Sequence, residues 1–291
     1  MRHRISSALV SVAAWLAMLP ASPFAVILCR VALHHEPPPW TPLLNLLASA
    51  VVLAVIYATP ALRPLRGYSL SVTTLVLGYV LLFQIEGTPA WRARFSGAPV
   101  WEFVLADALV ELIPCSFLAL SLIGGRLTRR DLFLVRGELA APCPLPFRWR
   151  VSWARSGPVL ILLLAGPLFV QLLATVRPDA HLYGRAVRGL PLAVAFSVFN
   201  AAQEEFRFRA VLLARLVPVI GAAQALWITS TMFGLGHWFG HPSGPVGVAM
   251  AGFAGFVWGK SMLDTRGFAW AWIIHASMDL LIFTLLLMSG P

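Results

Sequence analysis

The segment Asn200-Ala-Ala-Gln-Glu-Glu-Phe-Arg-Phe-Arg209 sets two carboxylates and two guanidiniums inside an apolar run that otherwise reads as a membrane-spanning helix. Each charge near the bilayer centre costs roughly 2.5–3.5 kcal/mol, so the four oppose insertion by about 10 kcal/mol before any pairing. Spacing supplies the compensation. Glu205 and Arg209 stand four apart with the acid first, the favourable order for an ion pair on one helical face. Glu204 falls on a neighbouring stripe, with Asn200 one turn earlier, and is free to turn into a bundle. An inward carboxylate in a water-poor cavity can take a proton from a water or relay protons. The alternative is that the four charges end the helix at the cytoplasmic interface, with Arg207 and Arg209 snorkelling.

Two later apolar runs carry the partners such a carboxylate would need. Phe233-Gly-Leu-Gly-His237 and His275-Ala-Ser-Met-Asp279 each set their two ends one helical turn apart. A lone intramembrane histidine is often a packing residue, and His34, His35, His181 and His241 read as interfacial. Three neighbouring runs that all present ionisable groups point instead to a functional cavity. From residue types alone, a water-activating hydrolase and a proton-coupled transporter or channel both remain open. Two histidines and a carboxylate with an open water position would also make a zinc site, although no His-Glu-x-x-His signature occurs. Ser243 lacks a Gly-x-Ser-Gly setting and no Gly-x-Gly-Asp signature appears, which sets other intramembrane protease chemistries aside. In straight spans Glu204 and His275 fall in the inner half and His237 nearer the outer end, so tilt or a kink in the Gly234–Gly240 stretch must bring His237 inward.

The elements that must position these groups are membrane helices. Hydrophobic residues make up 59% of the 291 and charged residues 12%, and mean hydropathy is +0.80. Apolar runs of spanning length recur, predicting an all-α polytopic transmembrane helix bundle of about eight or nine spans. They lie near 8–33, 43–61, 69–86, 100–124, 157–176, 189–217, 221–239, 245–263 and 267–288. The first is expected to be uncleaved, although its start resembles a signal peptide and it could be two half-spans. A weak composition break near Gly157 divides N-terminal helices with a basic loop (1–156) from a C-terminal bundle (157–291).

The formal charge of +10 sits mostly on arginines between apolar runs. Topology signals and lipid phosphates explain it better than nucleic acid. A cytoplasmic N-terminus leaves Arg63, Arg66, Arg126, Arg129, Arg130, Arg136, Arg148, Arg150, Arg155, Lys260 and Arg266 inside, and chiefly Arg92, Arg94, Arg177, Arg185 and Arg188 outside. The stretch from Gly125 to Gly157, with Pro142, Pro144, Pro146, Trp149 and Trp153, reads as a loop on the cytoplasmic headgroups or a solvated connector. Cys29, Cys115 and Cys143 have no metal or redox spacing and read as structural thiols.

The three motifs together resemble the CAAX-protease and bacteriocin-processing (CPBP, or Abi) family of intramembrane proteases, which includes the CAAX prenyl protease type II enzymes. That family carries Glu-Glu-x-x-x-Arg, then Phe-x-x-x-His, then His-x-x-x-Asn or Asp. Here these are Glu204-Glu205-x-x-x-Arg209, Phe233-x-x-x-His237 and His275-x-x-x-Asp279. Leu263 to His275 resembles the family's lead-in to its last motif, and the resemblance covers about 189–288. It implies hydrolysis of a peptide bond in or beside a cell membrane, in a membrane-associated protein or peptide precursor, by a glutamic-type or metallo endopeptidase. Carried over by position, Glu204 is the general base assisted by His237, and Glu205 paired with Arg209 fixes the helix. His275 and Asp279 stabilise the oxyanion or help to hold a divalent metal such as zinc, whose ligands would be Glu204, His237 and His275. Where many members have Asn, this chain has Asp279, which must be protonated, orient His275 or bind metal. A non-catalytic immunity protein that keeps the motifs is a further reading. The arginine-rich composition, with Lys260 as its one lysine, hints at a bacterial GC-rich genome, in which prenylated substrates are not expected.

Overall fold

The computed structural model describes residues 2–144, 151–176, 180–240 and 242–289, with side chains at 7–144, 151–170, 184–240 and 242–288. Pro146, Arg148, Trp149, Arg150, Arg177 and His241 lie outside the described residues, as does the side chain of His181. The architecture is the expected all-α bundle. Its helices are α1 (Arg2–Met18), α2 (Phe24–Ile27), α3 (Thr41–Ala58), α4 (Arg66–Glu86), α5 (Pro89–Phe95), α6 (Val100–Val110) and α7 (Leu112–Leu120). They continue with α8 (Trp153–Val176), α9 (Ala180–Glu205), α10 (Ala214–Ile220), α11 (Ala222–Gly236), α12 (Gly244–Thr265) and α13 (Ala269–Ser289). A π-helix, Phe206–Leu213, joins α9 to α10.

Among the described residues six helical stretches are long and apolar enough to cross a membrane, or seven if a bent N-terminal pair counts as one span. The sequence pointed to eight or nine. The run at 189–217 is apolar at both ends but carries Glu204, Glu205, Arg207 and Arg209 in its middle. The run at 221–239 forms only the 15 residues of α11, about 22 Å of helix against the roughly 30 Å of a hydrocarbon core. The run at 8–33 divides at Pro20 and Pro23 into Ser7–Ala21 and Phe24–Ala32, bent by 72°, since proline cannot continue the helical hydrogen bonding.

Pro114 breaks a second span in the same way. With no N–H to offer Val110, it interrupts the span Val100–Leu120 at Glu111, which is left at the joint of α6 and α7. Gly78 lets α4 close on that joint, because a Cβ there would lie 2.4 Å from Pro114 Cα. The acid at the break is thereby set beside Tyr79.

The loop before α8 docks on the protein. Trp153 is fully buried; its backbone N–H donates to Ala141 O (2.9 Å) and its indole to Asp264 Oδ2 (3.1 Å). Glu138 N donates to Thr265 O (2.8 Å), Phe268 N to Val135 O (2.8 Å) and Trp270 Nε1 to Leu139 O (3.0 Å). Two short antiparallel strands, β1 (Pro142–Cys143) and β2 (Val151–Ser152), close it. The headgroup reading therefore fails for Trp153, whose polar edge is met by Asp264, itself paired with Lys260. Arg126, Arg129, Arg130 and Arg136 do stay exposed.

The core runs through both sequence halves: α1 touches α10 and α11, and α4 touches the π-helix. Gly157 lies inside α8, where a Cβ would meet Trp270 at 2.2 Å. Cys115 and Cys143 are buried, and Cys29 is half-buried.

Candidate active site

Three elements converge here: the end of α9 with the π-helix after it, α11, and α13 packed along α9. The wider π turn follows Glu205 directly, and residues Arg207 to Leu213 are all buried. Such a turn shifts side chains relative to a regular helix and recurs at functional sites. Here both arginines point inward, with Arg207 3% and Arg209 0% exposed. The snorkelling alternative is thereby ruled out.

Glu205 is the hub of the buried part. Its Oε1 accepts from Arg209 Nη1 (3.0 Å) and lies 2.9 Å from His275 Nδ1. An ionised carboxylate only accepts, so Nδ1 carries the proton in that contact. The other ring nitrogen, Nε2, faces Glu204 Oε2 at 3.3 Å and Asp279 Oδ1 at 3.6 Å. Asn200 Nδ2 donates to Asp279 Oδ2 (3.0 Å), tying α9 to α13 a second time. Trp258 stacks on the His275 ring at 3.8 Å, and the Arg209 guanidinium sits 4.4 Å from the Phe233 ring centroid. These faces offer a buried cation a partner besides its one carboxylate. Gly255 makes room for Arg209, since a Cβ there would lie 2.5 Å from Nη2.

Glu204 is oriented differently. It keeps 20% of its side chain exposed and lines a cavity of about 440 Å³ together with Arg207, Phe233 and His237. Glu111, Tyr79 and the broken N-terminal span around Pro20–Pro23 also line it. His237 follows the last residue of α11, and its Nδ1 lies 2.9 Å from Phe233 O. A carbonyl cannot donate, so Nδ1 holds the hydrogen and Nε2 keeps a lone pair. The sequence required His237 to move inward from the end of its helix. The early end of α11 at Gly236 does this, because the cavity opens at that level.

Every residue singled out by spacing therefore lies in one region, but in two layers. Glu204 and His237 face the cavity, while Glu205, Arg209, His275 and Asp279 lie in the packed layer and do not line it. Among the described residues no three His, Cys, Asp or Glu side chains gather as a metal site. The set Glu204, His237 and His275 does not fit one, because His275 directs both nitrogens to carboxylates.

Sequence reasoning missed Glu111 and Tyr79 and gave Arg207 no partner. Glu111 pairs with Arg207 across 96 residues, and Arg207 Nη1 also lies 3.4 Å from Tyr79 OH. A signal was present, since an acid inside the apolar run 100–124 is as anomalous as those at 204 and 205.

Residues 186–281 match the family model described as Rce1-like: Type II CAAX prenyl endopeptidase Rce1-like. No curated protein and no solved structure matches the chain. The matched stretch, 186–281, holds all three motifs and supports a CPBP/CAAX protease family assignment for this multi-pass membrane chain.

Proposed function

We propose that the chain hydrolyses a peptide bond in a membrane-associated protein or peptide by activating one water between Glu204 and His237. The observation that carries this reading is that the Glu204 carboxylate and the His237 imidazole line the same cavity. The water oxygen attacks the scissile carbonyl carbon, Glu204 takes the proton, and the carbonyl electron pair moves onto oxygen. Collapse restores the carbonyl and breaks the C–N bond, and the stored proton passes to the leaving amine through Glu204 or His237. Water attack inside a largely apolar cavity gains from fixed charges that need no reorganisation.

The buried layer holds the base in place. Arg209, Glu205 and His275 fix the end of α9, and His275 Nε2 faces the rear oxygen of Glu204. Asp279, itself held by Asn200, supports the same imidazole. In this reading His275 and Asp279 orient Glu204 and do not touch the substrate, since neither lines the cavity.

The test is cleavage in proteoliposomes of a quenched fluorescent peptide ending in a prenylated CAAX sequence, together with peptides extracted from membranes that carry the chain. Wild type is expected to cut at least one of them and Glu204→Gln none. Equal cutting by both, or solute accumulation that follows a pH gradient with no cutting, overturns the reading.

A further inference from the structure

The oxygen that becomes negative during this reaction needs a donor in the cavity, and neither His275 nor Asp279 lines it. We propose that Arg207 is that donor, a further catalytic residue that stabilises the oxyanion, held in place by Glu111 and Tyr79. The proposal rests on the hydrolase reading above.

Arg207 is 3% exposed and is the cation among the cavity residues nearest to Glu204. Its Nη1 is engaged with Glu111 and lies 3.4 Å from Tyr79 OH. Among the described residues its Nη2 has no hydrogen bond and stands 3.9 Å from Glu204 Oε1, and its Nε is buried with no acceptor. Donors without acceptors inside a protein are costly, and Arg207 lines the cavity where substrate must sit. The 3.9 Å gap is beyond hydrogen-bond range but can be bridged by a single oxygen touching both groups. A carbonyl carbon attacked by a water on Glu204 therefore puts its developing negative oxygen beside Nη2. The carbonyl electron pair moves onto that oxygen, is held by the guanidinium, and returns when the C–N bond breaks.

The surrounding elements suit this role. Glu111 sits at the joint that Pro114 creates, so its carboxylate reaches across from α6–α7 to Arg207. Tyr79 on α4 lies under the guanidinium, with its ring centroid 5.8 Å from Cζ. These partners occupy the Nη1 side and leave the Nη2 side towards Glu204.

The experiment compares full-length wild type with Arg207→Lys, Arg207→Met, Glu111→Gln and the double variant Arg207→Met/Glu111→Gln, using the peptide that wild type cuts and Glu204→Gln does not. Arg207→Met is expected to lower kcat by about 10²–10³-fold with KM little changed, as for loss of one oxyanion donor. Arg207→Lys should recover part of that rate. A phosphinic analogue of the same peptide should bind the Met variant at least tenfold more weakly, while the Glu204→Gln protein still binds the uncut peptide. The double variant removes both charges of the pair together, so it separates charge balance from catalysis. If Arg207 is the oxyanion donor the double variant folds and stays slow; near wild-type kcat in the double variant overturns the proposal. No difference between wild type and Glu204→Gln removes the underlying reading instead, and with it the proposal.

Discussion

His275 Nδ1 lies 2.9 Å from Glu205 Oε1, so the last transmembrane helix is latched to the end of α9 by the same carboxylate oxygen that holds Arg209. All three groups are buried, and Oε2 of Glu205 has no hydrogen-bond partner among the described residues. Glu205 thus serves two donors with one oxygen, and the packing of α9 on α13 depends on it.

Glu205→Gln keeps the shape but leaves Arg209 uncompensated. Breaking a buried pair in this way costs about 3–5 kcal/mol, whereas removing both charges is often close to neutral. The thermal unfolding midpoint in detergent should fall for Glu205→Gln and recover substantially in Glu205→Gln/Arg209→Met. Activity should not recover with it, because His275 has still lost its ionised partner.

Asp279→Asn should be mild. The amide can still meet Asn200 and face His275, so at most one hydrogen bond of about 0.5–1.5 kcal/mol is lost. A kcat within about tenfold of wild type is expected. Asp279→Leu, which offers neither group a partner, should be slower than Asp279→Asn. Steady-state kinetics on the same peptide decide it, and equal rates for Asn and Leu would remove the supporting role assigned to Asp279.

Metal chelation should leave the rate unchanged. His275 directs both nitrogens to carboxylates, and no three-ligand group forms among the described residues. Activity that disappears on dialysis against a chelator and returns with zinc would show that the donors regroup around a metal.

The docked loop makes a stability prediction. Gly137 has φ +77°, and a Cβ there would lie 2.7 Å from Gly267 Cα. Gly137→Ala is therefore both strained and crowded and should release the loop from the α12–α13 turn. Limited proteolysis between residues 125 and 141 should be faster than in wild type. Trp153→Ala, which empties a fully buried site, should be destabilised further, by about 3–5 kcal/mol.

The helical class and the grouping of 200–209, 233–237 and 275–279 were legible in the sequence because each motif lies within one or two turns. Local spacing fixes which side chains share a face. Two features were not legible. The two-layer division of the site depends on a π turn after Glu205, and no periodicity announces it. The Arg207–Glu111 pair joins residues 96 apart, a separation at which only the fold decides contact. Fewer described helices are long and apolar enough to span than there are apolar runs in the sequence, for a related reason. Hydropathy measures apolar length, and it does not register that Gly236 ends α11 early or that Pro20 and Pro23 bend the first run.

The central claim, that Glu204 and His237 act on one water, is tested most directly by a double-mutant cycle on kcat with Glu204→Gln, His237→Asn and the pair. Groups that serve one step are strongly non-additive, so the double variant should be scarcely slower than the worse single variant. Losses that multiply across the pair would contradict a shared water, and so would a Glu204→Gln protein that still cuts.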